Sequence, residues 1–211
     1  MTSQSDWESQ FESWLRTKDG GDAAHGLDHV KRVVANAKRL ANASDANLSV
    51  VVPAAWLHDC VSVAKDSDLR SQASSLAAKE AREFLARSDY PAQWLDAIEH
   101  AIEAHSFSAG IAPETKEAKI VQDADRLDAL GAIGIARCLQ TGTAMGSVLY
   151  DCDDPFADGR VADDKVSTID HFYTKLLTLA DTMQTDGGRS EANRRTEFMQ
   201  QYLAQLRQEI E

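Results

Sequence analysis

The stretch Val50–Ala64, VVVPAAWLHDCVSVA, constrains the fold more than any other part of the chain. It is among the most apolar segments, yet His58 and Asp59 stand side by side at its middle. Burying an ionised carboxylate beside an imidazole costs several kcal/mol or more unless something pairs with them. A helix is too stiff to swing both groups out to water. The pair therefore predicts a bound metal ion, with its other ligands elsewhere in the chain.

A chain of 211 residues makes one ordinary domain or two small ones. With 43% hydrophobic residues and only 11 Gly and 4 Pro, it can bury a real core. The formal charge of -12 argues against a nucleic-acid polymer or an anionic membrane as partner, since both want a basic surface. Small phosphates remain possible ligands where local cations or a metal overcome the acidic field. Cys60, Cys138 and Cys152 are odd in number and scattered, with no CxxC pair, which fits a reducing compartment. The opening MTSQSDWESQFESW has no apolar core of the signal-peptide kind. The longest apolar run, Val50–Leu57, is far short of the roughly 18 residues of a membrane span. The expectation is a soluble, cytoplasmic protein.

Apolar residues recur with helical period nearly everywhere, and strand alternation is nowhere convincing. Trp7, Phe11, Trp14 and Leu15 share one face of a first helix closed by Gly20–Gly21. Val30, Val33, Val34, Ala37, Leu40 and Ala41 define a second helix from about Leu27. The His-Asp stretch is the third, starting just before Pro53 or kinked there. Ala73–Arg87 is the fourth, and a fifth runs from the cap Asp89-Tyr90-Pro91 through His105. Glu114–Gln140 is a long helical pattern broken near Gly131–Gly134. Thr141–Asp164, with six Asp, is a long irregular segment of the kind that is usually functional or mobile. It lacks the spacing and terminal Glu of a calcium loop, so a solvated acidic loop is the simpler reading. Two helices, Lys165–Met183 and Ser190–Ile210, separated by Gly187–Gly188, finish the chain. No repeat or linker divides it, and the expectation is one all-α domain over residues 1–211. Its core would lie at about 25–130, with the helices of 165–210 packed on it.

The chain has six histidines. His29, in HGLDHVKRV, has Val33 one turn on, which points its ring inward. Asp125, in KIVQDADRLDALGAIG, is flanked at four residues by Val121 and Ala129 and also faces inward. His29, His58, Asp59 and Asp125 are thus four inward polar side chains on three helices. Two imidazoles and two carboxylates suit a divalent ion such as Mn, Fe, Co, Ni or Mg, and Zn less exclusively. Such an ion keeps open positions for water and a substrate oxygen. The competing reading is a buried salt bridge or hydrogen-bonded network with no ion.

The order His29 … His58-Asp59 … Asp125, within the phrases AHGLDHVKRV, AAWLHD, AIEAHSFS and AKIVQDADRLDALGAIG, resembles the signature of the HD-domain superfamily of metal-dependent phosphohydrolases. It is similar to a bacterial branch that includes nucleotide pyrophosphohydrolases and uncharacterised proteins, over about Trp7 to Leu206. The resemblance implies an all-helical bundle holding one divalent ion through His29, His58, Asp59 and Asp125. It also implies attack of water on a phosphoester or phosphoanhydride of a small phosphorylated metabolite, with a nucleotide as the substrate class. Some branches hold two metals with extra histidines. His100 and His105 stand where these would fall, but five residues apart on one regular helix they diverge by about 140°.

A single metal is therefore expected, with Asp59 and His105 in catalytic roles and His100 structural. Asp128, one turn beyond Asp125, is a candidate to orient water or a ligand imidazole, against a plain surface ion pair. Lys65 and Arg70, in the loop after the His-Asp helix, and His25, near the mouth, are candidate substrate contacts. Each could equally be a surface charge, as could Lys31, Arg32 and Arg126, and His171 reads as core or surface. The alternatives are a cyclic-nucleotide phosphodiesterase, an alarmone hydrolase, or a metal- or nucleotide-binding regulatory module without turnover.

Overall fold

The computed structural model describes residues 3–18, 26–63, 70–106 and 109–210, with only the backbone described at Arg70. These residues are all-α. Besides helices they contain a single isolated bridge, Val148 to Ser167. None of the helices is long and apolar enough to cross a membrane. The chain falls into two compact units, Met1–Asp125 and Arg126–Glu211.

The first unit contains α1 (Gln4–Lys18), α2 (Leu27–Ser44), α3 (Leu48–Leu57), α4 (Ala73–Arg87), α5 (Leu95–Glu103) and most of α6 (Lys116–Leu127). Its centre is α3, where every residue from Val50 to Leu57 is buried. A helix that is apolar all round has no solvent face to keep and must be surrounded; α1, α2, α4 and α5 all pack on it. Val50, Val51, Val52 and Leu57 are almost wholly removed from water, each contributing about 1.5–3 kcal/mol.

Sequence expectation and structure part company at three places in this unit. First, α3 starts five residues before Pro53, capped by the Asn47 side chain, which accepts from Ser49 N at 2.9 Å. Proline has no N–H for the carbonyl four residues back. That carbonyl, Ser49 O, instead accepts the Tyr90 hydroxyl at 2.8 Å. Second, α3 ends at Leu57, so His58 and Asp59 stand on the turn beyond it and not inside a helix. Third, α5 begins after the one-turn 3-10 helix Ala92–Trp94 and stops at Glu103, leaving His105 beyond its end. The expected divergence of His100 and His105 on one helix therefore does not apply. The glycines 20 and 21 lie outside the described residues.

In the second unit, α7 (Gly131–Met145), α8 (Asp170–Thr174), the 3-10 segment Leu176–Thr182 and α9 (Asp186–Ile210) pack around Ile169, Phe172, Met183 and Met199. Asp128–Leu130 breaks the long helical pattern, with Gly131 at φ +71. A Cβ on Gly134 would strike the Ala129 carbonyl, so this close approach requires glycine. Lys165–Met183 is not one helix but α8 and the 3-10 segment. Gly187 and Gly188 do not separate helices either: they lie in the first turn of α9, where the Thr185 hydroxyl accepts from Gly188 N at 3.0 Å. That side-chain cap outweighs the low helix propensity of glycine.

The acidic segment starts later than expected, because α7 runs on to Met145. Five of its six carboxylates are engaged. Asp151 accepts from Asp153 N and Asp154 N, Asp154 from Asp158 N and Gly159 N, and Asp163 from Lys165 N. Asp158 pairs with Arg207, and Asp164 with His171 and Thr174. This self-capped loop needs no calcium to account for its acidity.

Candidate metal centre

The site is assembled at or near the ends of four helices, and its residues all belong to the first unit. His29 lies in the first turn of α2, where Gly26 O accepts from His29 N at 2.9 Å. The burial of Val30, Val33 and Val34 turns the same helix face, and with it the imidazole, inward. Asp125 stands near the end of α6, beyond the buried run Ile120–Ala124.

His58 and His105 are held by one device used twice. The last carbonyls of a helix have no partner within it. At the end of α3, His58 Nδ1 lies 2.9 Å from the Ala55 carbonyl, and at the end of α5, His105 Nδ1 lies 2.6 Å from the Ile102 carbonyl. A carbonyl only accepts, so Nδ1 carries the hydrogen in both rings, and Nε2 of the neutral ring presents a lone pair.

Those Nε2 atoms converge on the carboxylates. His58 Nε2 lies 3.3 Å from His29 Nε2, which lies 3.4 Å from Asp125 Oδ1. Asp59 Oδ2 is 3.6 Å from His58 Nε2 and 3.9 Å from His29 Nε2. The other oxygen, Asp59 Oδ1, faces His105 Nε2 at 3.4 Å. Both histidines of the pair are almost completely buried, while about a quarter of each carboxylate remains exposed, which keeps one side of the cluster reachable.

Electrostatics favour the ligand forms of His58, Asp59 and Asp125. Burial pushes the His58 pKa down and keeps the ring neutral. For Asp59 burial pushes upward, but His58, His105 and His29 outweigh it and hold the carboxyl well below its usual range. Asp125 is held low in the same way by His29 and His58. For His105 burial pushes downward, and the hydrogen bond and charge of Asp59 raise it nonetheless.

This donor set fits a divalent cation. Asp59 Oδ2 and Asp125 Oδ1 each approach the His29–His58 pair of ring nitrogens, at 3.4–3.9 Å. Donor atoms sharing one ion at bonds of about 2.1 Å stand roughly 3–4 Å apart. His29, His58 and Asp125 form one group that could hold a metal, and His58, Asp59 and His105 another. Both draw on His58, whose Nδ1 is committed to Ala55.

The contacts of the remaining expected residues are as follows where they are described. Asp128 belongs to the second unit, is 1% exposed, and accepts from Arg137 at 2.5 Å. His100 Nε2 accepts from Glu114 N at 3.0 Å. His171 is half-buried against Asp164. His25 and Lys65 lie outside the described residues, as does the Arg70 side chain; the Arg70 backbone opens the 3-10 turn Arg70–Gln72. Two buried amides behind the ligands escaped the sequence reading. Asn36 donates to Ala124 O at 3.5 Å, and Gln122 donates to Ala104 O at 2.6 Å. Their only signal is position, two turns after His29 and one turn before Asp125 on the same apolar faces.

Residues 26–130 match the HD domain. Over 206 residues, 95% of this chain and 92% of the relative, the chain is 33% identical to the uncharacterised protein YpgQ of Bacillus subtilis (strain 168). The crystal structure of an HD-superfamily hydrolase from Bacillus thuringiensis matches with TM-score 0.75 at 30% identity, covering 98% of each chain. This chain belongs to the HD-domain superfamily. The HD chain is also similar to Bacillus subtilis YpgQ crystallised in complex with ADP, at 35% identity and TM-score 0.75, over 95% of this chain and 93% of that one. The similarity to these HD relatives extends well beyond residues 26–130, taking in the sequence that forms α7–α9.

Proposed function

We propose that this HD protein is a metal-dependent phosphohydrolase that hydrolyses a small phosphorylated metabolite, with a nucleotide as substrate class. The two-sided placement of Asp59 carries the reading: Oδ2 faces the His29–His58 pair, while Oδ1 faces His105. One carboxylate can thereby hold an ion and align a water beside it. The complex of the relative YpgQ with ADP supports the nucleotide.

In this reading His29, His58, Asp59 and Asp125 hold one divalent ion of the Mn, Fe, Co, Ni or Mg kind, with Zn less favoured. Such an ion supplies Lewis-acid polarisation of a phosphoryl oxygen and a lowered pKa for an adjacent water. Asp59 Oδ1 and His105 Nε2 accept hydrogens from the attacking water, and His105 takes up the proton released on attack. Asp59 and Asp125 must be ionised to serve, and the histidines around them favour that state. His25, Lys65 and Arg70 are proposed contacts for the substrate phosphates. Because His58 Nε2 is shared by both candidate metal groups and one lone pair binds one ion, a single-metal site fits better than a pair.

The test is a metal-supplemented screen of generic phosphatase substrates and a nucleotide panel, with His58→Ala and Asp59→Ala in parallel. Turnover is expected to fall at least about 100-fold in both variants. Undiminished turnover in both would remove the site assignment. Stoichiometric bound ion without turnover on any substrate would favour a binding module.

A further inference from the structure

Gln122 is a buried amide, 3% exposed, on α6 one turn before Asp125. Its Nε2 donates to the Ala104 carbonyl at 2.6 Å. The acceptor can pair only with a donor, so the amide orientation is settled by its partner. Gln122 Oε1, equally buried, has no hydrogen-bond partner. An unmade buried bond is destabilising, and a leucine of similar size would avoid that cost. For stability alone a glutamine is a poor choice here. What it provides is a rigid tie between α6 and the residue that caps α5.

That residue immediately precedes His105. Ala104 closes α5, and the chain then turns so that His105 Nδ1 reaches the Ile102 carbonyl and Nε2 faces Asp59 Oδ1 at 3.4 Å. The turn is held from inside by the Ile102 bond and from outside by Gln122. We propose that Gln122 is a positioning residue that aims His105 at Asp59, coupling the His105 turn to the helix that carries Asp125. The inference rests on the role given to His105 above.

Gln122→Leu removes donor and orphaned acceptor together and tests it in two independent ways. The first is turnover of the best nucleotide with Mn2+. Gln122→Leu is expected to lower kcat about 10-fold or more with KM and Mn2+ affinity changed less than about threefold, since the four ligands stay in place. In a His105→Ala background the same substitution is expected to change kcat no further. Equal losses in both backgrounds, or no loss with His105 present, would overturn the positioning role. The second readout needs no turnover and so stands if the enzymatic reading fails. In 15N-histidine-labelled protein, the His105 ring signals, identified by their disappearance in His105→Ala, are expected to shift in Gln122→Leu while those of His100 and His171 stay put. Unmoved His105 signals in a folded Gln122→Leu protein would also overturn the proposal.

Discussion

At the scale of single residues, the site depends on which nitrogen each histidine spends on its own helix. His58 and His105 both give Nδ1–H to a carbonyl three residues back and keep Nε2 for the cluster. This satisfies the helix end and sets the tautomer with one bond. Asp128 shows the opposite economy, a carboxylate already committed to Arg137. Asp128→Asn is expected to destabilise the protein by about 2 kcal/mol, because it leaves the guanidinium without its buried charge partner, and to leave Mn2+ binding intact by calorimetry. A loss of turnover beyond 10-fold at unchanged stability would instead establish the catalytic role expected from its spacing to Asp125. The residues of the cluster were legible in the sequence as candidates, because a polar side chain on an apolar helical face needs an explanation. Gln122 and Asn36 were not, since an amide in such a place carries no charge and announces no chemistry.

At the scale of elements, the His-Asp stretch is a short helix whose defect is repaired from outside. Pro53 leaves Ser49 O without its helical partner, and the Tyr90 hydroxyl takes that place. Tyr90→Phe is expected to cost about 0.5–1.5 kcal/mol in chemical denaturation, the net loss of one part-buried hydrogen bond. In a Pro53→Ala background the restored N–H can reach Ser49 O, so the same Tyr90→Phe change is expected to cost less than half as much. An equal cost in both backgrounds would mean that the hydroxyl acts otherwise. The sequence pattern located α3 and α5 but misplaced their ends. Apolar periodicity marks the face of a helix, whereas its last residue is decided by which carbonyls find partners. For His58 and His105 those partners are their own rings.

At the scale of the whole molecule, the acidic loop is organised around Asp170, fully buried and bonded to Arg160 and to Asp163 N. Burial pushes Asp170 upward, but Arg160 and the Asp163 amide hold it below the ordinary carboxylate range. A carboxylate with a depressed folded pKa adds stability above its unfolded pKa and loses it as pH falls through the folded value. Asp170→Asn is therefore expected to cost about 3 kcal/mol at pH 7, with the gap to the parent protein closing as pH falls below about 4. A gap that stayed constant down to pH 2 would contradict the sign.

Metal binding supplies the second global prediction. Mn2+ at 100 times its Kd is expected to stabilise the protein by about 2.7 kcal/mol, and Asp59→Ala to abolish the effect. If residues 1–211 act as the single domain expected from the sequence, denaturation follows one transition and Mn2+ moves all of it. Two transitions, with only one moved, would separate the units Met1–Asp125 and Arg126–Glu211.

Sequence pattern was enough for the fold class and for naming the candidate ligands. Helical periodicity needs only local order, and four inward polar residues in that pattern leave few chemistries open. The tertiary structure alone decided how those residues are used. That His105 meets Asp59, that one carboxylate faces two ways, and that buried amides tie α6 to α2 and to the end of α5 all depend on distances between residues far apart in the chain. Helix ends are settled by the same long-range contacts. Thus His58 and Asp59, which the sequence places inside a helix, stand on the turn beyond it, where Nε2 and both carboxylate oxygens are free to converge on the site.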